Sequence, residues 1–229
     1  GYNQYFNDNA FEGSVEFYYK KMDDLITYAE GTNILGTDFS SWEDRVEMNG
    51  LGKSYGLECF LKKNKGKLTG WLGYTLSRSI RQFDRINLGR VYPYKFDRPH
   101  DLSVVSSYKL NEGTTFSLTW VYGSGNTITL PKEQYLLVSD GNVQPYYEYG
   151  ERNSYRMQAY HRLDFGVNFV KQKQWGERTW TVSIYNLYNR RNPFFIYFED
   201  FIDNNLEYIE AKQVSLFPII PTVRYGFKF

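Results

Sequence analysis

The sequence predicts an all-β chain: an antiparallel up-and-down transmembrane β-barrel, of which it supplies a partial wall of about 8–9 strands. Three observations predict this. Runs of about ten residues alternate apolar and polar side chains, the period-2 pattern of strands with one greasy face. Short turns alternate strictly with long connections, as they do when one rim of a barrel carries tight turns and the other carries long loops. No run of 18 apolar residues occurs, so a helical membrane span is excluded and a membrane form has to be a barrel.

The elements follow in order. Gly1 to Phe6 reads as the end of a strand, and Asn7-Asp8-Asn9 as a tight turn, because Asn and Asp tolerate left-handed backbone. Phe11, Gly13, Val15, Phe17 and Tyr19 then alternate with Glu12, Ser14, Glu16, Tyr18 and Lys20. The pattern fades at Met22, which predicts a long loop over about 23–51. Tyr55, Leu57, Cys59 and Leu61 form one face of the next strand, Asn64-Lys65-Gly66 turns, and Leu68, Leu72, Tyr74 and Leu76 return. A second long segment, 79–99, is rich in Arg and Asp. The third hairpin sets Leu102, Val104, Tyr108 and Leu110 against Phe116, Leu118, Trp120 and Tyr122 around Asn111-Glu112-Gly113.

The longest irregular stretch is expected from Gly123 to about Tyr160. A compact soluble domain seldom carries such a loop without function. Leu163, Phe165, Val167 and Phe169 alternate with Arg162, Asp164, Gly166 and Asn168, and the chain turns at 172–177 and returns through Trp180, Val182 and Ile184. A last long segment, 189–214, precedes a terminal strand beginning near Pro218, in which Val223, Tyr225, Phe227 and Phe229 share one face. Glu12, Glu16, Glu58, Lys62, Arg162, Asp164, Arg224 and Lys228 oppose the apolar faces, as expected if one side meets lipid and the other a watery lumen.

Composition excludes several functions. The net charge of +1, with no gathered Lys/Arg patch, argues against a nucleic-acid partner. The 22 Tyr and 17 Phe suit aromatic belts at membrane interfaces. The single cysteine, Cys59, allows no internal disulfide and reads as a small hydrophobe on a strand face. The two histidines, His100 and His161, lie without Cys or carboxylate at ligand spacing, so neither a metal nor a cofactor is expected. Glu199, Asp200 and Asp203 lack the ordered spacing of a calcium loop. No serine elbow motif is present, so catalytic residues are not expected.

The hairpin from Tyr160-His161-Arg162-Leu163-Asp164-Phe165 through Trp180-Thr181-Val182-Ser183-Ile184-Tyr185-Asn186-Leu187-Tyr188-Asn189, with Asn192-Pro193-Phe194 after it, resembles the penultimate hairpin of TonB-dependent outer-membrane receptors. Arg98-Pro99-His100-Asp101, the stretch Tyr18 to Ile26 and the terminal Phe229 resemble the same family. The resemblance implies a Gram-negative outer-membrane receptor that imports a bulky nutrient, an iron chelate, glycan or peptide, with energy relayed by TonB. It also implies partners: outer-membrane lipid, the rest of the barrel, a plug domain that matches nothing here, TonB through an N-terminal part, and a surface lipoprotein. The chain is therefore expected to be the C-terminal part of a barrel. Trp42, Tyr146, Tyr147, Tyr149 and Phe198 are the candidate ligand contacts, since aromatic planes stack on sugars and chelates. A small passive porin-like barrel is the second reading and an outer-membrane hydrolase the third.

Overall fold

The computed structural model describes residues 1–30, 42–139, 142–203 and 206–229, with the backbone alone at 134, 136–139, 142–147, 200–203 and 206–209. The strands are β1 (Tyr2–Phe6), β2 (Phe11–Tyr28), β3 (Val46–Lys63), β4 (Leu68–Gln82), β5 (Tyr92–Pro93), β6 (His100–Asn111), β7 (Thr114–Gly123) and β8 (Thr127–Ile128). They continue as β9 (Pro131–Ser139), β10 (Asn142–Tyr149), β11 (Tyr155–Arg156), β12 (Tyr160–Lys173), β13 (Gly176–Tyr185), β14 (Phe195–Asp203), β15 (Leu206–Val214) and β16 (Ile220–Lys228). One antiparallel sheet dominates, in the order β1-β2-β3-β4-β6-β7-β12-β13-β16, with β5 beside the upper part of β4. Neighbours in sequence are neighbours in space, which is the up-and-down arrangement the sequence predicts.

The four short turns fall where the turn residues place them. Asn7, Asp8 and Asn9 all hold positive φ, at 54°, 53° and 61°, a region Asn and Asp enter at little cost. The long connections are where the sequence reading needs correction. β2 runs on to Tyr28 and β3 starts at Val46, so the first loop is shorter than 23–51. The alternation fades at Met22 because the β2–β3 register shifts between Met22 and Leu25 and again between Leu25 and Thr27, and each irregularity disturbs the parity of the faces. The stretches 123–160 and 189–214, expected to be irregular, each contain a hairpin, β9–β10 and β14–β15. These hairpins form two-stranded sheets separate from the main one.

Register sorts the side chains. Tyr2, Val15, Cys59, Tyr74, Leu102, Tyr122 and His161 stand opposite one another on one face. Lower on that face run Leu68, Tyr108, Phe116, Val167, Val182 and Val223. The other face carries Thr69, Ser107, Ser117, Gly166, Ser183 and Thr222 in one row and Glu16, Glu58, Thr75 and Asp101 in another. The apolar face is bare: Phe17 is 71% exposed, Val223 63% and Phe227 58%. An apolar surface spanning nine strands far exceeds what a protein leaves in water.

Aromatic rings bracket that band at both ends. Toward the long connections, Tyr19 stacks on Tyr55, Tyr74 on His100, and Tyr122 on His161, with Tyr188 against His161. Toward the short turns, Phe6 stacks on Phe11, Trp180 packs on Tyr225, and Trp175, Phe227 and Phe229 form a chain of rings. From His161 to Phe169 β12 runs roughly 26 Å at about 3.3 Å per residue, the lower end of the about 9–11 residues that a tilted strand needs to cross the apolar layer.

Candidate ligand-facing rim

The end carrying the long connections is built on buried polar groups. Asp97 is 1% exposed, and its carboxylate accepts the backbone N–H of Ser79 at 2.6 Å, the Arg78 guanidinium at 3.0 Å and the Arg156 guanidinium at 2.5 Å. Arg156 also donates to the Asp97 and Gly125 carbonyls. A Cβ at Gly125 would lie 1.9 Å from the Met157 carbonyl oxygen, so only glycine lets these strands of loop approach. Thr127 donates to the Tyr94 carbonyl at 2.9 Å and closes the group. Three segments distant in sequence, 78–98, 124–127 and 155–157, thus meet around one carboxylate.

A second knot ties in the β2–β3 connection. Buried Asn87 donates its backbone N–H to Glu30 at 2.9 Å and accepts the Arg152 N–H on its side-chain oxygen at 2.7 Å. Arg152 donates onward to the Tyr28 and Ala29 carbonyls, and Asn153 to the Pro93 carbonyl. Beneath lies a small apolar core of Phe83, Ile86 and Tyr92 with Leu25 against it. The Phe83 ring sits over Gly50, where a Cβ would approach it to 2.2 Å. Since Gly50 shares its face with Gly52 and Glu58, this core covers the polar side of the sheet at its upper end.

Electrostatics follow from the packing. Burial pushes the Tyr92 hydroxyl above its usual range, partly opposed by the Arg152 guanidinium. On β9 the Tyr135 hydroxyl donates to the Glu133 carboxylate and to Glu148 at 3.2 Å, and those two acids push it up to about 12.

The predicted contact residues are spread around this rim. Trp42, 62% exposed, precedes the short 3₁₀ turn Glu43–Arg45 ahead of β3. Tyr149 is exposed at the end of β10, two residues before Glu151, which pairs with Arg90 at 2.7 Å. Tyr146 and Tyr147 lie in β10, their side chains outside the described residues. Phe198 is half-buried in β14. No ring contact joins Trp42, Tyr149 and Phe198 among the described residues. Glu199 pairs with Lys212, whereas the Asp200 and Asp203 side chains lie outside the description. His100 and His161 are held by the Tyr74 and Tyr188 hydroxyls at 2.8 and 2.7 Å.

The residues that shape the rim, Asp97, Arg156, Asn87 and Arg152, were not picked out from the sequence. The only signal was the Arg- and Asp-rich composition of 79–99, because the partners of that segment sit about 60 residues further along.

No family model matches the chain, and no curated protein matches it. Among solved structures, the ferripyoverdine receptor of the outer membrane of Pseudomonas aeruginosa, bound to ferripyoverdine, is similar over 86% of this chain and 23% of its own, at 12% identity and a TM-score of 0.49. The chain spans about a quarter of the length of that receptor chain.

Proposed function

We propose that this chain is part of the wall of an outer-membrane β-barrel of the TonB-dependent receptor kind, which imports a bulky nutrient captured at the long-connection rim. The observation that carries the membrane part is the bare apolar band between two aromatic girdles, with Glu16, Glu58, Asp101 and a row of hydroxyl residues on the opposite face. A charge turned to lipid at mid-height costs about 2–4 kcal/mol, and the mid-height acidic rung Glu16–Glu58 is on the other side. Open sheet edges do not persist in hydrocarbon, so β1 and β16 join strands of the remaining wall in a larger barrel. Plugged transporters of this architecture have 22 strands, of which this sheet supplies fewer than half.

The receptor part is supported by the sequence resemblance and by long connections that are tied to one another around Asp97 and Asn87. In this reading Trp42, Tyr146, Tyr147, Tyr149 and Phe198 meet an iron chelate, a glycan or a peptide, and the plug, TonB and a surface lipoprotein are partners of the whole protein. The test is uptake by a Gram-negative host carrying the full-length protein. Replacing Trp42 and Tyr149 together by Ala is expected to lower uptake of the nutrient with no loss of protein from the outer membrane. Recovery of the protein in the soluble fraction overturns the membrane reading, whereas normal uptake by the double variant overturns only the assignment of contacts.

A further inference from the structure

We infer that the outward face at Lys21 and Lys53 seats a phosphate-bearing lipid headgroup, an inference that rests on the membrane-wall reading above. Along β2, Val15, Phe17, Tyr19 and Lys21 share a face, and along β3 Cys59, Leu57, Tyr55 and Lys53 oppose them one for one. In these two strands the apolar band thus passes into an aromatic rung and then, one rung further out, into a cationic one. The Tyr19 and Tyr55 rings stack with centroids 6.5 Å apart, and an aromatic rung of this kind marks headgroup level. The lysines therefore sit where the charged part of the lipid is.

Their pairing has no internal explanation. Like charges directly opposite across two strands repel and destabilise the sheet, so Lys21 and Lys53 weaken the wall unless an anion lies between them. Within the protein, Lys21 reaches the exposed Asp23 at 3.0 Å, whereas Lys53 has no ion pair or hydrogen bond among the described residues, and Ile80 stands beside it on β4. Of the other acids along β3, Glu58 lies on the opposite face and Glu47 faces Arg85 at 3.9 Å. Two exposed lysines directly opposite on adjacent strands can both reach one phosphomonoester, and lysine binds phosphate as a point charge without demanding a fixed fork geometry. A headgroup anchored to the lipid below also covers the Tyr19–Tyr55 pair, which free phosphate does not.

The full-length protein, purified from outer membranes in neutral detergent, is titrated with phosphatidic acid or with phosphatidylcholine of the same acyl chains, and retained lipid is counted by native mass spectrometry. Phosphatidic acid is expected to be retained over phosphatidylcholine, and Lys21→Gln/Lys53→Gln to weaken that retention roughly tenfold. Lys20→Gln removes one positive charge from the opposite face and is expected to change nothing. Equal retention of phosphatidic acid by the double variant, with normal heat-modifiability on gels, overturns the site. Displacement of phosphatidic acid by an equal concentration of inorganic phosphate overturns the lipid as occupant. Failure of the protein to fractionate with the outer membrane would instead remove the wall reading itself.

Discussion

Arg156 and Asp97, 59 residues apart, meet at 2.5 Å where the Asp97 carboxylate is fully buried, and the same guanidinium reaches the Gly125 carbonyl at 2.8 Å. The pair is the fastener between the β4–β6 and β7–β12 connections. Removing Arg156 takes one of two guanidinium partners from a buried carboxylate that keeps Arg78 and the Ser79 N–H, so the cost stays below the about 3–5 kcal/mol of a wholly unpaired buried charge. Arg156→Met is therefore expected to loosen the rim without unravelling the wall. Hydrogen exchange should speed up in 78–98 and 124–127 and stay slow in β12 and β13. Uniform acceleration over the whole sheet, or none, counts against this division.

The two faces of β12 make opposite demands. Val167 lies in the exposed apolar row with Val182 and Val223, whereas the Asn168 side-chain oxygen accepts the Thr181 hydroxyl at 2.6 Å on the other side. Val167→Arg is expected to reduce assembly into the membrane by about 2–4 kcal/mol, and Asn168→Arg to be tolerated. The yield of heat-modifiable protein in outer membranes measures both, and equal yields would defeat the assignment of faces.

Topology is checked by an impermeant thiol reagent on intact cells, in a background with Cys59 replaced by Ser. Cysteines at Asn64, Asn111 and Gln174, in or beside the short turns, should stay unlabelled from outside. A cysteine at exposed Glu151, above the rim, should be labelled. Asp140 and Asn204, expected on the same outer side, lie outside the described residues. Labelling of the short turns with Glu151 protected inverts the molecule.

Tyr92 sets an alkaline limit for the rim. Its folded pKa is raised by burial, so the neutral form is favoured by folding: the contribution is complete below the ordinary tyrosine value and is lost as pH rises through the raised one. Exchange protection of 78–98 is expected to fall on raising the pH above about 10. Tyr92→Phe, which keeps the ring beside Phe83 and Ile86, should remove that step. An unchanged step in the variant assigns it to other tyrosines.

The β-class, the one-sided strands and the four tight turns were legible in the sequence because they depend on local chemistry. Period-2 alternation comes from the strand's own geometry, and Asn7-Asp8-Asn9 turns through its own backbone preferences. Which face is apolar and bare also followed from residue type alone, as Val223, Tyr225 and Phe227 show. The two projecting hairpins, the shift of register near Leu25 and the rim platform were settled by tertiary structure. Each depends on partners remote in sequence: β2 irregularities exist only relative to β3, and Asp97 tolerates burial only because Ser79, Arg78 and Arg156 converge on it. The aromatic candidates at the rim were visible as residue types, and the sequence already set them on three different long segments. Side-chain chemistry sets what a residue can contact, and chain topology sets what lies near enough to be contacted.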